Sequence, residues 1–136
     1  MAAGVYDDPV ATEFWDQIYS DREVAIAAVG APVMQAALAH FGDVRGKRLL
    51  DLGCGAGEFA LAFAALGADV VALDLSEVAV AKLQAFADER GVPNLRALQG
   101  SAMAIDQHGP FDLVFGSFIL HHLEPFPAFA DALQAA

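Results

Sequence analysis

Four short apolar runs alternate along this chain with Ala-rich stretches of helical length. Residues 48–52 (RLLDL), 69–73 (DVVAL), 95–98 (LRAL) and 112–115 (DLVF) read as strands. Most are apolar at consecutive positions, as strands buried on both faces are. Between the first two, residues 57–66 place Phe59, Phe63 and Leu66 at i, i+4 and i+7, and Gly67 supplies a helix stop. A second helix begins after Ser76, a good N-cap, carries Ala79, Leu83 and Phe86 along one stripe and ends at Gly91. Pro93-Asn94 then turns the chain into the third strand. Strand and helix signals in alternation predict an α/β domain with a parallel sheet covered by helices. The chain has no internal repeat, which excludes a solenoid or propeller.

The first 45 residues follow another rhythm. Trp15, Ile18 and Tyr19 form a short amphipathic stretch, residues 33–41 a second one after Pro32, and residues 42–46 (GDVRG) a turn into the first strand. Residues 1–45 are too few to bury a core of their own, so they read as a helical cap on the domain formed by residues 46–136. Near the other end Pro125 and Pro127 signal a helix start, with Phe126, Phe129 and Leu133 available to face the sheet.

Composition narrows the partners more than the fold. The chain has 136 residues, 57% of them apolar, with 18 acids against 7 Lys and Arg and a formal charge of −11. That apolar fraction suits one packed domain and argues against disorder. An acidic chain without a basic cluster lacks the footprint that neutralises phosphates, so nucleic acid is not the expected partner. A single Cys cannot form an internal disulfide, no signal segment opens the chain, and no uncharged stretch has the length of a membrane span. The expected setting is therefore reducing and cytoplasmic, away from membranes. Asp7, Asp8, Asp88 and Glu89 read as solvated surface charges.

The densest chemical signal is residues 49–58, LLDLGCGAGE, a strand running into a glycine loop that opens a helix. Glycines there permit a tight turn and close approach of a ligand, and the helix N-terminus offers N–H groups. The following strand leads to Asp74, 21 residues beyond Gly53, where a carboxylate accepts hydrogen bonds from ribose hydroxyls. This succession predicts a nucleoside-containing ligand lying across the C-terminal ends of the strands. The dinucleotide fingerprint is G-x-G-x-x-G, whereas this loop reads G-x-G-x-G with Glu58 where the last glycine would stand. Asp51 before the loop and Glu58 after it would repel a pyrophosphate, which speaks against NAD and an oxidoreductase. S-adenosylmethionine carries an ammonium and a sulfonium against one carboxylate, so the same acids favour it.

On the motifs LLDLGCGAGEFA, VVALDLS, ALQGSA and FDLVFGSFILHHL, in that order, the chain resembles the class I S-adenosylmethionine-dependent methyltransferases, particularly those acting on small molecules. The resemblance runs from about Trp15 to Leu133. It implies a Rossmann-like parallel sheet with helices on both faces, its four strands in the order 3-2-1-4, and methyl transfer from S-adenosylmethionine to an O, N or C atom. It also implies that Asp51 and the backbone of Gly53, Cys54, Gly55 and Gly57 hold the methionine end of the cofactor and that Asp74 binds the ribose. Leu75 would pack on the adenine, Ser101 and Ala102 would flank its rim, and Gly116 and Ser117 would follow the fourth strand beside the transferable methyl. Ser101 departs from the family, which often has Asp there.

Catalysis of this kind asks mainly that the acceptor be held in line with water excluded, so no base stands out. His121 and His122 follow the fourth strand, where a neutral imidazole could take a proton; packing or solvation accounts for the pair without catalysis. They lack a third ligand at a useful spacing, so no metal is assigned. Cys54, between two glycines and without an adjacent His, reads as a small lining residue rather than a nucleophile. Trp15 and Tyr19, one helical turn apart, are candidates for a lid over the cofactor or for core packing. The family's sheet has seven strands, of which four are found, leaving the apolar fourth strand in need of a neighbour from a missing C-terminal segment or a partner chain. A noncatalytic cofactor-binding or assembly module is thus the alternative to an enzyme.

Overall fold

The computed structural model describes residues 9–101, 105 and 107–116. The expectations for Ala102, Ser117, His121 and His122, and for a helix after Pro125, lie outside the described residues. Helix α1 spans Pro9–Ser20 and α2 Pro32–Phe41; β1 (Arg48–Leu52), α3 (Glu58–Ala65), β2 (Asp69–Asp74), α4 (Glu77–Arg90), β3 (Leu95–Gln99) and β4 (Leu113–Gly116) follow. The strands form one sheet in the order β3-β2-β1-β4, every neighbouring pair parallel. No described helix is long and apolar enough to cross a membrane.

Both crossovers out of β1 and β2 step the same way across the sheet. Right-handed connections therefore place α3 and α4 on one face. Side-chain alternation along the strands agrees, since Leu49, Val70, Ala72, Leu95 and Phe115 share a buried cluster with Met34 of α2, Leu61 and Phe63 of α3, and Leu83 and Ala87 of α4. The intervening residues Leu50, Leu52, Val71 and Leu73 point to the other face and meet Ile105 and Phe111.

Sequence and structure differ in detail where packing decides. Ala87, not Phe86, takes the fully buried position of α4, and the Phe86 ring lies 4.7 Å from the Arg90 guanidinium. The Asn94 side chain donates to the carbonyls of Ala64 and Ala68 at 2.8 and 2.7 Å, so the turn into β3 also seals the end of α3. Gly57 is not the first residue of α3 but its N-cap, left-handed at φ 80°. A Cβ on Gly57 would clash with the buried Leu83 side chain of α4, so this left-handed position favours glycine. Gly57→Ala combines a positive φ with a clash against the core, and is expected to cost about 2–4 kcal/mol. Urea unfolding with an unchanged m-value would report that loss; an unchanged midpoint would contradict it.

Candidate functional site

The register of the sheet brings the ends of all four strands to one edge: Leu52 lies opposite Leu73 and Gly116, and Asp74 opposite Gln99. Asp51, Asp74, Ser101 and Gly116 thus lie along the carboxyl-terminal edge of the parallel strands, the usual ligand position in such sheets. The glycine loop that follows β1 is tied down from below. Gly53 and Cys54 donate their N–H groups to the carbonyl of Leu73 at 2.8 and 3.0 Å, and Gly57 N–H donates to Cys54 O at 2.9 Å.

Asp74 is the pin of this loop. One carboxylate oxygen accepts from Gly55 N–H at 2.8 Å and the other from Ser76 N–H at 2.9 Å, with the residue only 6% exposed. Burial pushes its pKa up, and the N–H donors of Ser76, Gly55 and Leu75 oppose that shift by favouring the charged form. A sequence reading assigns Asp74 to a ligand alone; the structure gives it a second task in holding the loop's shape.

Asp51 is placed differently. It is 2% exposed, and its Oδ2 has no hydrogen-bond partner among the described residues. Burial first, then the negative charge of Asp74, push its pKa up to about 8, against a lowering contribution from the Ala60 backbone N–H. A buried oxygen that lacks a donor destabilises the chain unless something supplies one. A cationic donor set against Asp51 Oδ2 would satisfy that atom and hold the carboxylate ionised, whereas an anion there would meet two buried acids. Two buried acids beside the loop favour a cation over an anion such as a pyrophosphate.

Cys54 is buried beside these acids, and burial followed by Asp51 and Asp74 pushes its thiol well up. A thiol so held is a poor nucleophile, in keeping with a lining role. Leu75 is 8% exposed and packs with Leu50, Leu52 and Ile105; Ser101 is half-buried just beyond β3.

Tyr19 of α1 comes down on this loop. A Cβ on Gly55 would lie 2.6 Å from the Tyr19 hydroxyl oxygen, so the close approach requires glycine at that position, itself left-handed at φ 55°. Burial and then the charge of Asp74 push the Tyr19 phenol up to about 12, so it stays protonated at neutral pH. The Arg22 guanidinium lies over the same ring, 5.5 Å from its centroid. Three residues escape a reading by motif: Asp16, Arg22 and Lys82. Asp16 stands one turn from Tyr19 in the amphipathic stretch, a weak signal; nothing local announces its partner Ser76, 60 residues on.

Comparison with known proteins places this geometry. Residues 49–136 match a family described as a methyltransferase domain. Over 91 residues, 65% of this chain, it is 41% identical to the ubiquinone biosynthesis O-methyltransferase of Albidiferax ferrireducens. The chain spans 36% of the length of that relative. Among solved structures, it is similar to one described for the conversion of a disulfide bond into a thioacetal group during echinomycin biosynthesis, with 32% identity and a TM-score of 0.73. That match covers 92% of this chain and 56% of the other. An S-adenosylmethionine-dependent methyltransferase from Mesorhizobium loti gives 32% identity and a TM-score of 0.63, covering 78% of this chain and 48% of its own.

Proposed function

The chain belongs to the methyltransferase domain family, as a class I S-adenosylmethionine-dependent member, and from that premise we propose that it transfers the methyl group of S-adenosylmethionine to an oxygen of a small-molecule acceptor. The observation that carries the reading is the pair of buried acids, Asp51 with a donor-less oxygen and Asp74 pinning the loop beside it. In this reading Asp51 takes the cofactor's ammonium, and the Gly53, Cys54, Gly55 and Gly57 backbone runs along its methionine chain. Asp74 accepts from the ribose hydroxyls through the lone pairs that Gly55 and Ser76 leave on its two oxygens. Leu75 and Ser101 border the adenine, Gly116 adjoins the transferable methyl, and Tyr19 covers the loop from α1. When bound, the cofactor supplies a methyl group already activated by its sulfonium. The chain's own residues then bind, orient and exclude water, which is what such a transfer requires. An oxygen acceptor is favoured because the Albidiferax relative is an O-methyltransferase.

Calorimetric titration tests the cofactor half. S-Adenosylmethionine and its demethylated product are expected to bind in preference to NAD. With the Asp51 pKa at about 8, the free protein holds a proton at pH 6 that the ammonium must displace. Affinity should therefore rise from pH 6 to 8 by up to about tenfold per unit, with proton release read from buffer-dependent enthalpies, and fall again once the ligand's own amino group loses its proton near pH 8. No binding by a folded sample, or a preference for NAD, would overturn the assignment. Turnover on a panel of hydroxylated acceptors tests the other half, and binding without transfer would favour a noncatalytic module.

A further inference from the structure

Helix α1 is joined to α4 by polar contacts from two charged side chains. None of its side chains whose burial is described is fully buried, and Phe14 is 55% exposed. Two side chains hold it to α4, one at each end of the contact. Lys82 of α4 donates to the carbonyls of Tyr19, Ser20 and Arg22 at 2.9, 2.6 and 3.0 Å, using all three ammonium hydrogens on the open C-terminal end of α1. Asp16 of α1 accepts from the Ser76 hydroxyl and from Val78 N–H at the N-terminal end of α4. Each helix thus caps the other, and each charge sits at the helix end whose dipole favours it.

This clasp leads directly to the cofactor loop. Ser76, held by Asp16, donates its own N–H to Asp74, and Asp74 holds Gly55, on which the Tyr19 hydroxyl rests. Tyr19 is also the residue whose carbonyl Lys82 grips. Two attachment points, at Asp16 and at Tyr19 to Arg22, fix both the position and the rotation of α1, and with them the seat of the Tyr19 ring. A helix end held by exposed and part-buried hydrogen bonds opens more readily than a packed core, so the clasp sets how often α1 lifts.

We propose that Lys82 and Asp16 are positioning residues that lock α1 over the cofactor loop and thereby set how long S-adenosylmethionine stays bound. The inference rests on the cofactor reading above. Neither residue needs to touch the cofactor, since they act through Tyr19. Lys82→Met is expected to weaken S-adenosylmethionine binding about tenfold, mostly through faster dissociation, while the melting temperature moves little because the Lys82 bonds are exposed or part-buried. Lys82→Arg, which can still donate to several carbonyls, should recover most of the affinity. Amide hydrogen exchange in α1 should quicken in Lys82→Met and in Asp16→Ala with the cofactor absent, and the double variant should lose less affinity than the two single losses combined. If the unaltered chain binds the cofactor and Lys82→Met dissociates at the same rate, the inference falls while the cofactor reading stands. If Lys82→Arg is as impaired as Lys82→Met, the hydrogen-bond clasp is wrong. No cofactor binding by the unaltered chain removes the cofactor reading and this inference together.

Discussion

Asp51→Asn is expected to raise the melting temperature of the ligand-free protein at pH 8 by about 5–10 °C, raise it much less at pH 5, and weaken S-adenosylmethionine binding at least about 30-fold. The stability half follows from the sign of the Asp51 shift. Its carboxyl is raised from 3.8 to about 8 in the fold, so the folded state keeps a proton that the unfolded chain gives up. The stability contributed by that protonated form is complete below pH 4 and disappears as pH rises towards 8. An amide does not titrate, so the variant escapes the loss; at pH 5 only the first part of that loss has set in, and the two proteins differ less. The binding half follows from the charge that Asn lacks. A charge-assisted hydrogen bond in a buried site contributes about 2 kcal/mol, or roughly 30-fold in affinity. Scanning calorimetry at the two pH values and titration at pH 7.5 would read both effects. A variant destabilised equally at both pH values with full affinity would refute the role given to Asp51. A stabilised protein that has lost its ligand is the pattern of a residue kept for function against its structural cost.

Asp74→Asn should act with the opposite sign on stability, although the two acids stand at the ends of adjacent strands. Both Asp74 oxygens accept buried backbone N–H groups, from Gly55 and from Ser76. An amide places its own donor against one of them, leaving two donors face to face and a buried N–H without an acceptor. The expected destabilisation is about 2–4 kcal/mol, with a matching fall in the urea midpoint. If Asp74 is the ribose acceptor as proposed, S-adenosylmethionine affinity should fall about 100-fold, because the same substitution also loosens the loop held at Gly55. Retention of stability with lost affinity would mean that Asp74 serves the ligand alone, and retention of both would remove it from the site. Comparing the two variants separates an acid that the fold merely tolerates from one that it uses.

The legible part of this protein is local. The strands at residues 48–52, 69–73 and 95–98 agree with β1, β2 and β3 to within a residue, because continuous apolar runs bounded by turn residues leave few alternatives. Ser76 and Gly91 end α4 as expected: Ser76 Oγ accepts from Ala79 N–H, and Gly91 takes the left-handed conformation. The strand, glycine loop and helix that lie between Asp51 and Asp74 are legible because a tight turn at positive φ needs glycines at short range. The Asp16, Ser76 and Lys82 contacts were not visible, since each joins residues about 60 apart and none is marked by composition. The divided role of Asp74 was hidden for the same reason.

What the chain determines by itself is the alternation of strand and helix, the acidic crevice-forming motifs and, through them, the kind of ligand that its charges tolerate. Only the tertiary structure decided which acid is left with an unmatched oxygen, which one pins the loop, and that Tyr19 of α1 seats on Gly55. Periodicity, turns and motif spacing are properties of neighbours in sequence. The protonation of Asp51, the two bonds of Asp74 and the seat of Tyr19 depend on which groups are brought together once water has been excluded.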